Sequence, residues 1–447
     1  MRLPSRASLH EHQAAVREWI AEFNLGREGD DLAWIGLPTL AALLQNRGLD
    51  PVAVRPLDPE RRRSLIERSH PASVGEWSTA GDLLLVAQTE NQRRALGPIA
   101  QCLGPIDPVP EADPPPALDR DLTVRAVELA DDLVASARAA PIELPGEQIV
   151  LYRTMLRAAR ALVACRAMLE AVQPKGVVIA SAHSNAPRAL ALAARHAGLP
   201  SAYVPHAPLI ANLRLADLPV DLAALRGPLE VEHYTAAGAR ADGLVAIGNP
   251  AGPAPAGAPA QGEGEALPAF ALPTDDEWAL ERLVELVHAG LGEDVVASPH
   301  PRADRERLAE LLPAGWTVWD RPTAELLQHG VPALIQASSG AGLEALQLGI
   351  PLIDLRFPGA PPNYPYLADP RIPSVAAADE LREAVAAARQ VPSAQRDELR
   401  ELARGWVVTE GEEAALAGAA ELQRLVAAGQ REEPVWDSWS ATSRSAR

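Results

Sequence analysis

The amino-acid sequence predicts an α/β chain built as two doubly wound, parallel-sheet domains. Short apolar runs alternate with Ala/Leu-rich helical stretches, and the alternation occurs twice. Between the two series, residues 251–268 are almost pure Ala, Pro, Gly and Gln/Glu, a composition that cannot bury a core. The length of 447 residues also exceeds what one hydrophobic core usually serves. The expected division is 1–249, a linker over 250–272, a second domain over 273–430, and a loose polar tail over 431–447.

In the first half, helical spacing over 8–24 (Leu9, Ala15, Trp19, Ile20, Phe23) predicts an amphipathic opening helix. The pair His10 and His12 on it lacks a third ligand and reads as a solvated face. Asp31 to Gly36 reads as a strand, and Pro38 to Arg47 as a helix closed by Gly48. A strand over 82–88 and a helix over 91–103 follow. Residues 104–118, with three consecutive prolines, predict an extended connector. Helices are expected over 124–140 and 149–172, and the latter leads into the β-branched strand 176–180. A helix to Ala197 and a strand over 201–205 complete a β-α-β unit. Asp242 to Gly248 reads as a last short strand before Asn249-Pro250.

The second half repeats the pattern. Helix 275–291, strand 294–298, a helix ending near Leu312, strand 316–319 and helix 323–328 are expected in turn. The strand 333–337 then enters a Ser338-Ser339-Gly340 turn, a short helix closed by Gly349-Ile-Pro351, and the strand 350–355. Residues 376–430 are mainly helical.

Composition narrows the function. The net charge of −18 argues against nonspecific nucleic-acid binding, so any phosphate site must be locally basic. Lys175 is the only lysine, and the richness in Arg, Ala, Pro and Gly reads first as GC-rich coding bias. Cys102 and Cys165 match no metal spacing, and a reduced cytoplasmic interior is the simplest setting. No stretch reaches membrane-span length, and residues 1–24 lack the apolar core of a signal peptide.

Two places carry chemistry. The turn Ser338-Ser339-Gly340 opens a helix after a buried strand, a natural seat for a phosphate. Glu344 lies one turn inside, where a carboxylate can accept from two adjacent sugar hydroxyls. Serine and glycine are also ordinary capping residues, so the turn alone reads either way. Gly340-x-Gly342-x-x-Ala345 matches the dinucleotide fingerprint in form. The acid it needs lies about 20 residues on, whereas Asp354 follows Gly340 by only 14, which argues against NAD. In the first half, His183 and His206 fall at the carboxyl ends of neighbouring strands, where open parallel sheets bind ligands.

With these residues in place, a resemblance emerges over residues 150–360. His300-Pro301 after a strand, Ser338-Ser339-Gly340-Ala-Gly342-Leu-Glu344-Ala, and Gly349-Ile-Pro351 resemble GT-B glycosyltransferases of bacterial surface-polysaccharide synthesis. The likeness is to the capsule-polymerase, polysialyltransferase and CDP-glycerol-transferase type. Residues 177–206 and Gly248-Asn249-Pro250 agree, although the family's His-Gly is His206-Ala207 here. The resemblance implies two Rossmann-like domains facing across a cleft. It implies that His300 and Arg302 contact a donor phosphate, that Ser338, Ser339 and Gly340 hold the diphosphate, and that Glu344 holds the ribose. For catalysis the candidates are His183, His206 and Asp31; the last belongs to Glu28-Gly-Asp30-Asp31, a loose match to the family's acidic motif. The implied partners are a nucleotide-activated sugar and a glycan or lipid-linked acceptor. No metal and no further cofactor are expected, because helix ends and His/Arg can neutralise the leaving phosphate. The implied setting is cytoplasmic, with peripheral association with the inner face of a membrane or with other biosynthetic enzymes left open. Two alternatives remain: a UDP-sugar 2-epimerase-like isomerase, and a non-catalytic nucleotide- or glycan-binding scaffold.

Overall fold

A computed structural model describes residues 1–3, 30–45, 76–110, 120–140, 149–182, 184–210, 220–252, 266–273, 277–300, 305–337 and 339–429. It also describes residues 117, 118 and 303, and helical residues 11, 14–16, 18–20, 22 and 23. His183, Pro301, Arg302, Ser338, most of the expected linker and the tail 431–447 lie outside the described residues. The chain divides into two compact units. One comprises Met1–His10, Ala207–Asn212 and Pro253–Val408, and the other Glu11–His206, Leu213–Gly252 and Thr409–Arg447.

The second of these units opens on helix α1, Asp31–Gln45. Here the structure corrects the expected strand over 31–36: the apolar run is helical from its first residue. Asp30 supplies the reason, because its carboxylate accepts from the N–H groups of Leu32 and Ala33 at 3.0 and 3.2 Å and starts the helix. Pro38 lies inside α1 and has no N–H to give the Trp34 carbonyl four residues back. That carbonyl accepts from Arg188 Nε at 3.0 Å instead. The Arg188 guanidinium also donates to the Ala182 carbonyl at 3.1 Å and lies over the Trp34 ring at 3.9 Å. A buried arginine thus closes the gap that a proline makes in a neighbouring helix.

The hairpin β1 (Glu76–Ala80) and β2 (Leu83–Ala87) precedes helix α2 (Glu90–Leu103), whose N-cap Thr89 accepts from Gln92. Strand β3, Ile106–Val109, falls within the stretch expected to be a plain connector. Helices α3 (Arg120–Ala139) and α4 (Ile149–Val172) lead to β4 (Gly176–Ile179), α5 (Asn185–His196) and β5 (Ser201–Tyr203). Strand β6 (Leu222–Leu225), helix α6 (Pro228–Ala236) and β7 (Leu244–Ala246) follow. The sheet order is β3-β1-β2-β4-β5-β6-β7, antiparallel at the β1 edge and parallel from β2 to β7.

The other unit holds β8 (Ala269–Ala271), α7 (Glu277–Leu291), β9 (Val296–Ser298), α8 (Arg305–Leu311) and β10 (Thr317–Val318). Helix α9 (Thr323–Gln328), β11 (Leu334–Gln336), α10 (Ala341–Gln347), β12 (Leu352–Leu355) and β13 (Ser374–Val375) come next. Helices α11 (Ala378–Arg389) and α12 (Ser393–Trp406) end it. Strand β8 lies inside the span expected to be linker; its three residues are fully buried. All neighbouring strands are parallel, in the order β10-β9-β8-β11-β12-β13. Counted along the chain this is 3-2-1-4-5-6, the doubly wound Rossmann order. Phe270, Ala297, Ile335, Ile353 and Leu355 share one face with Leu283, Val287, Leu381 and Val385 of α7 and α11.

The last helix, α13 (Gly411–Ala428), belongs to the unit that contains α1, where Ala415, Ala419 and Leu422 pack with Leu96 and Ile99 of α2. Gly248-Asn249-Pro250 is the fastening for this return. Asn249 N–H donates to the Thr409 carbonyl at 2.8 Å, and Gly411 N–H to the Asn249 carbonyl at 3.0 Å. Gly248, at φ +97°, lies against Thr409 where any Cβ would collide. Among the described residues no helix is long and apolar enough to cross a membrane.

Replacing Arg188 by Ala strips donors from two buried carbonyls, offset in part by removing a desolvated charge. The expected loss is about 2–4 kcal/mol, read in urea as unfolding of the unit that contains α1. Hydrogen exchange in 31–45 should rise with it. A variant within about 0.5 kcal/mol of the parent would show that surface-type tolerance applies and the contact is idle.

Candidate functional site

In a doubly wound sheet the crossover helices leave the sheet in opposite directions where the strand order reverses. This opens a crevice at the carboxyl ends of the two central strands. In the 3-2-1-4-5-6 sheet the reversal lies between β8 and β11. The residue after the β11 carboxyl end, Ala337, leads directly into the 338–340 turn, so the sequence-predicted phosphate turn stands at the switch point. Ser339, Gly340 and Glu344 are therefore brought together there. His300 follows β9 by two residues, at the same edge, one strand beyond β8. Two strand spacings, about 10 Å, separate β9 from β11. The His300 carbonyl accepts from Ala303 N–H at 2.9 Å, closing the turn that follows.

Ser339 behaves partly as an ordinary cap: its Oγ accepts from Ala341 N–H at 3.3 Å. Gly340 lies under Pro208 of the Ala207–Asn212 segment, whose Cδ would be 3.3 Å from a Cβ there. Glu344 is half-buried on α10.

Beneath α10 lies a polar cluster that the sequence analysis did not single out. The strand alternation that sends Ile335 and Ile353 into the α7/α11 core sends Gln336 and Asp354, which are register partners, to the opposite face. Both are almost fully buried, at 0% and 3% exposure. Asp354 is paired with Arg356 Nη2 at 2.6 Å, and burial raises its pKa against the lowering effect of that arginine. Gln336 and the Tyr366 hydroxyl crowd Gly342: a Cβ would lie 2.9 Å from both Gln336 Cδ and the Tyr366 oxygen. Tyr366 donates to the Ser339 carbonyl at 3.4 Å and stacks on Tyr364, with ring centroids 5.4 Å apart. The signal for this cluster was a single Gln within an apolar strand, which reads as an irregularity until the register is known. The same geometry explains why the fingerprint-like Gly340-x-Gly342-x-x-Ala345 fails as an NAD motif. It follows the fourth strand rather than the first, and Asp354 is spent on Arg356.

In the other unit His206 follows β5, at the carboxyl edge of the parallel strands. Its Nδ1–H donates to the Ala180 carbonyl, which fixes the orientation of the ring. Other polar residues after β4 are structural: Asn185 accepts from Thr39 Oγ1 at 2.5 Å and donates to the Thr154 carbonyl at 3.1 Å. Asp31 is not brought to this edge. It faces Arg166 at 3.5 Å and His196 at 3.7 Å. His196 is the last residue of α5, about 18 Å from that helix's start by the α-helical rise. Asp31 therefore lies toward the amino-terminal edge of the sheet, one helix length from His206. Among the described residues, no three or more His, Cys, Asp or Glu side chains form a group that could hold a metal.

No family model matches the chain, and no curated protein matches its sequence. Solved structures overlap it in part. A UDP-N-acetylglucosamine 2-epimerase from Listeria monocytogenes, assigned as putative, is 15% identical with a TM-score of 0.43, covering 68% of this chain and 88% of its own. The kitacinnamycin glycotransferase is 17% identical with a TM-score of 0.44, covering 69% and 96%. S. aureus MnaA, in a UDP co-structure, is 12% identical with a TM-score of 0.46, covering 73% and 92%. The strand order within each sheet, rather than these partial overlaps, defines the fold described here.

Crowding at Gly342 makes a direct test. Gly342→Ala should destabilise its unit by about 1–3 kcal/mol through overpacking against Gln336 and Tyr366. Gly340→Ala, whose added methyl meets only Pro208 Cδ closely, should cost less than half as much. Thermal unfolding of the two variants measures the difference, and equal stabilities would contradict the packing beneath α10.

Proposed function

We propose that the chain is a glycosyltransferase that moves a sugar from a nucleotide-activated donor to a hydroxyl of a glycan or lipid-linked acceptor. We place it, within this reading, in bacterial cell-surface polysaccharide or glycoconjugate synthesis, acting in the cytoplasm. The observation that supports it most is the coincidence of two independent features. The reversal of the Rossmann strand order falls at β8/β11, and the Ser339–Glu344 turn and helix start there. In this reading Gly340 and Gly342 allow the diphosphate close to the backbone, with Ser339 and Ser338 as hydroxyl donors. His300 and Arg302 add charge from the next strand end but one, and Glu344 accepts from the ribose.

Transfer needs the leaving phosphate neutralised and the acceptor hydroxyl deprotonated. Dipoles and cations can meet the first need without a metal. For the second, His206 is the better-placed candidate, because it stands at the carboxyl edge of the parallel strands with its ring oriented by the Ala180 carbonyl. Asp31, at the far end of α5, fits the role less well. His183 stays a candidate from its position in the sequence alone.

A second reading, sugar-nucleotide epimerisation, uses the same donor pocket and differs in needing no acceptor. Incubating the protein with a nucleotide sugar alone separates them: epimerised sugar supports the second reading, and an unchanged donor that is consumed only when acceptor is added supports the first.

Two variants check the roles. His300→Ala should weaken nucleotide binding by about 1.5–3 kcal/mol and Ser339→Ala by less, in titrations with CMP, CDP, UDP, GDP and TDP. Unchanged affinity in both, with the fold intact, moves the pocket elsewhere. His206→Ala should lower turnover about 100-fold or more at saturating donor with nucleotide affinity retained; full turnover would remove His206 from the chemistry.

A further inference from the structure

At the carboxyl edge of β6 the chain does something expensive. Arg226, the residue after the strand, is only 7% exposed. Its Nε is buried with no hydrogen-bond partner. A buried guanidinium N–H without an acceptor carries a desolvation cost that nothing offsets. Arg188, equally buried in the same unit, shows the usual solution, with two carbonyls and a ring around it.

The nearby acidic group does not supply the missing partner by hydrogen bonding. Glu230, 1% exposed, accepts from the Arg226 backbone N–H at 2.9 Å. The two tyrosines around it, Tyr203 and Tyr234, hold their protons because burial raises both pKa values.

A second unpartnered atom stands on the next strand. Asn249, 5% exposed after β7, has a buried Oδ1 with no donor. The register pairs Leu225 with Ala246, and the Leu225 carbonyl accepts from both Ile247 and Gly248 N–H, so the segments that carry Arg226 and Asn249 leave neighbouring strands at the same edge. On the other side of β6, continuing the Tyr203–Ala223 pairing brings His206 level with Arg226. Between them helix α6 begins at Gly227, which offers no side chain to cap it.

We propose that Arg226 and Asn249 form a binding subsite for an oxyanion-bearing, hydroxylated ligand, with the guanidinium gripping a carboxylate or phosphate and Asn249 Oδ1 accepting from a neighbouring hydroxyl. The planar fork of arginine fits both oxyanions in two-point fashion. Assigning the oxyanion to the acceptor, an acidic or phosphorylated sugar, rests on the proposed transfer reaction; the binding itself does not.

The test uses the full chain and two probes, inorganic phosphate and glucuronate, by isothermal titration. Arg226→Met should lose at least tenfold in affinity for at least one of them, and the probe affected identifies phosphate or carboxylate as the anion. Arg226→Lys, which keeps the charge, should lose less. Because the buried Nε has no acceptor to lose, Arg226→Met should also unfold at a Tm equal to or above the parent's. Affinities unchanged in both arms overturn the proposal, as does a lowered Tm, which would show the guanidinium holding the fold. Nucleoside-diphosphate titration runs alongside: its failure in the parent would remove the transferase reading while leaving the oxyanion result readable.

Discussion

Parallel strands cannot be joined by hairpins, so every strand of a parallel sheet must run the same way and end at the same edge. That constraint organises both units. In the 3-2-1-4-5-6 sheet it gathers the residues after β8, β9 and β11 at one edge, and the reversal between β8 and β11 keeps the helices from covering it. The 339–344 turn and His300 are 39 residues apart in sequence, counted from His300 to Ser339, and share that edge because of the topology alone. The packing below follows from it. A helix that starts at the edge must pass close to its strand, which is why Gly342 sits against Gln336 and Tyr366.

The other unit shows how such a fold handles polar groups away from water. Pro38 removes a helix bond, and Arg188 restores a donor to the orphaned Trp34 carbonyl from a different helix. Asp221, 2% exposed, accepts from both the N–H and Oγ of Ser201 at 2.8 and 3.1 Å. Arg226 Nε and Asn249 Oδ1 are not satisfied in this way, and they lie at the sheet edge where parallel folds bind ligands.

Much of this was legible in the residues. Helix 149–172 and helix 323–328 match residue for residue; in the first, a long Ala/Leu-rich run leaves few alternatives. The edge placement of His206, His300 and the 339–344 turn also followed from the β-α-β pattern. What stayed hidden had physical causes. Strand β8, Ala269-Phe-Ala271, is too short to stand out from an Ala/Pro/Gly stretch, and β6, Leu222-Ala-Ala-Leu225, carries no β-branched residue. The run Asp31 to Gly36 has the hydrophobicity of a strand, and only Asp30's capping and Arg188's remote donor reveal a helix through a proline. Asp31 was a candidate through a loose motif match rather than by topology, and its partners Arg166 and His196 show it at the opposite end of α5. Gln336 and Asp354 become neighbours only when the parallel register is known.

The central claim is that a nucleotide seats at the β8/β11 reversal. Hydrogen exchange on the full chain, with and without a saturating nucleoside diphosphate, tests it most directly. The account predicts slowed exchange in 334–344 and around 298–300, with little change in 31–45. Protection absent from those segments and confined to the carboxyl edge of β4 to β7 would contradict it.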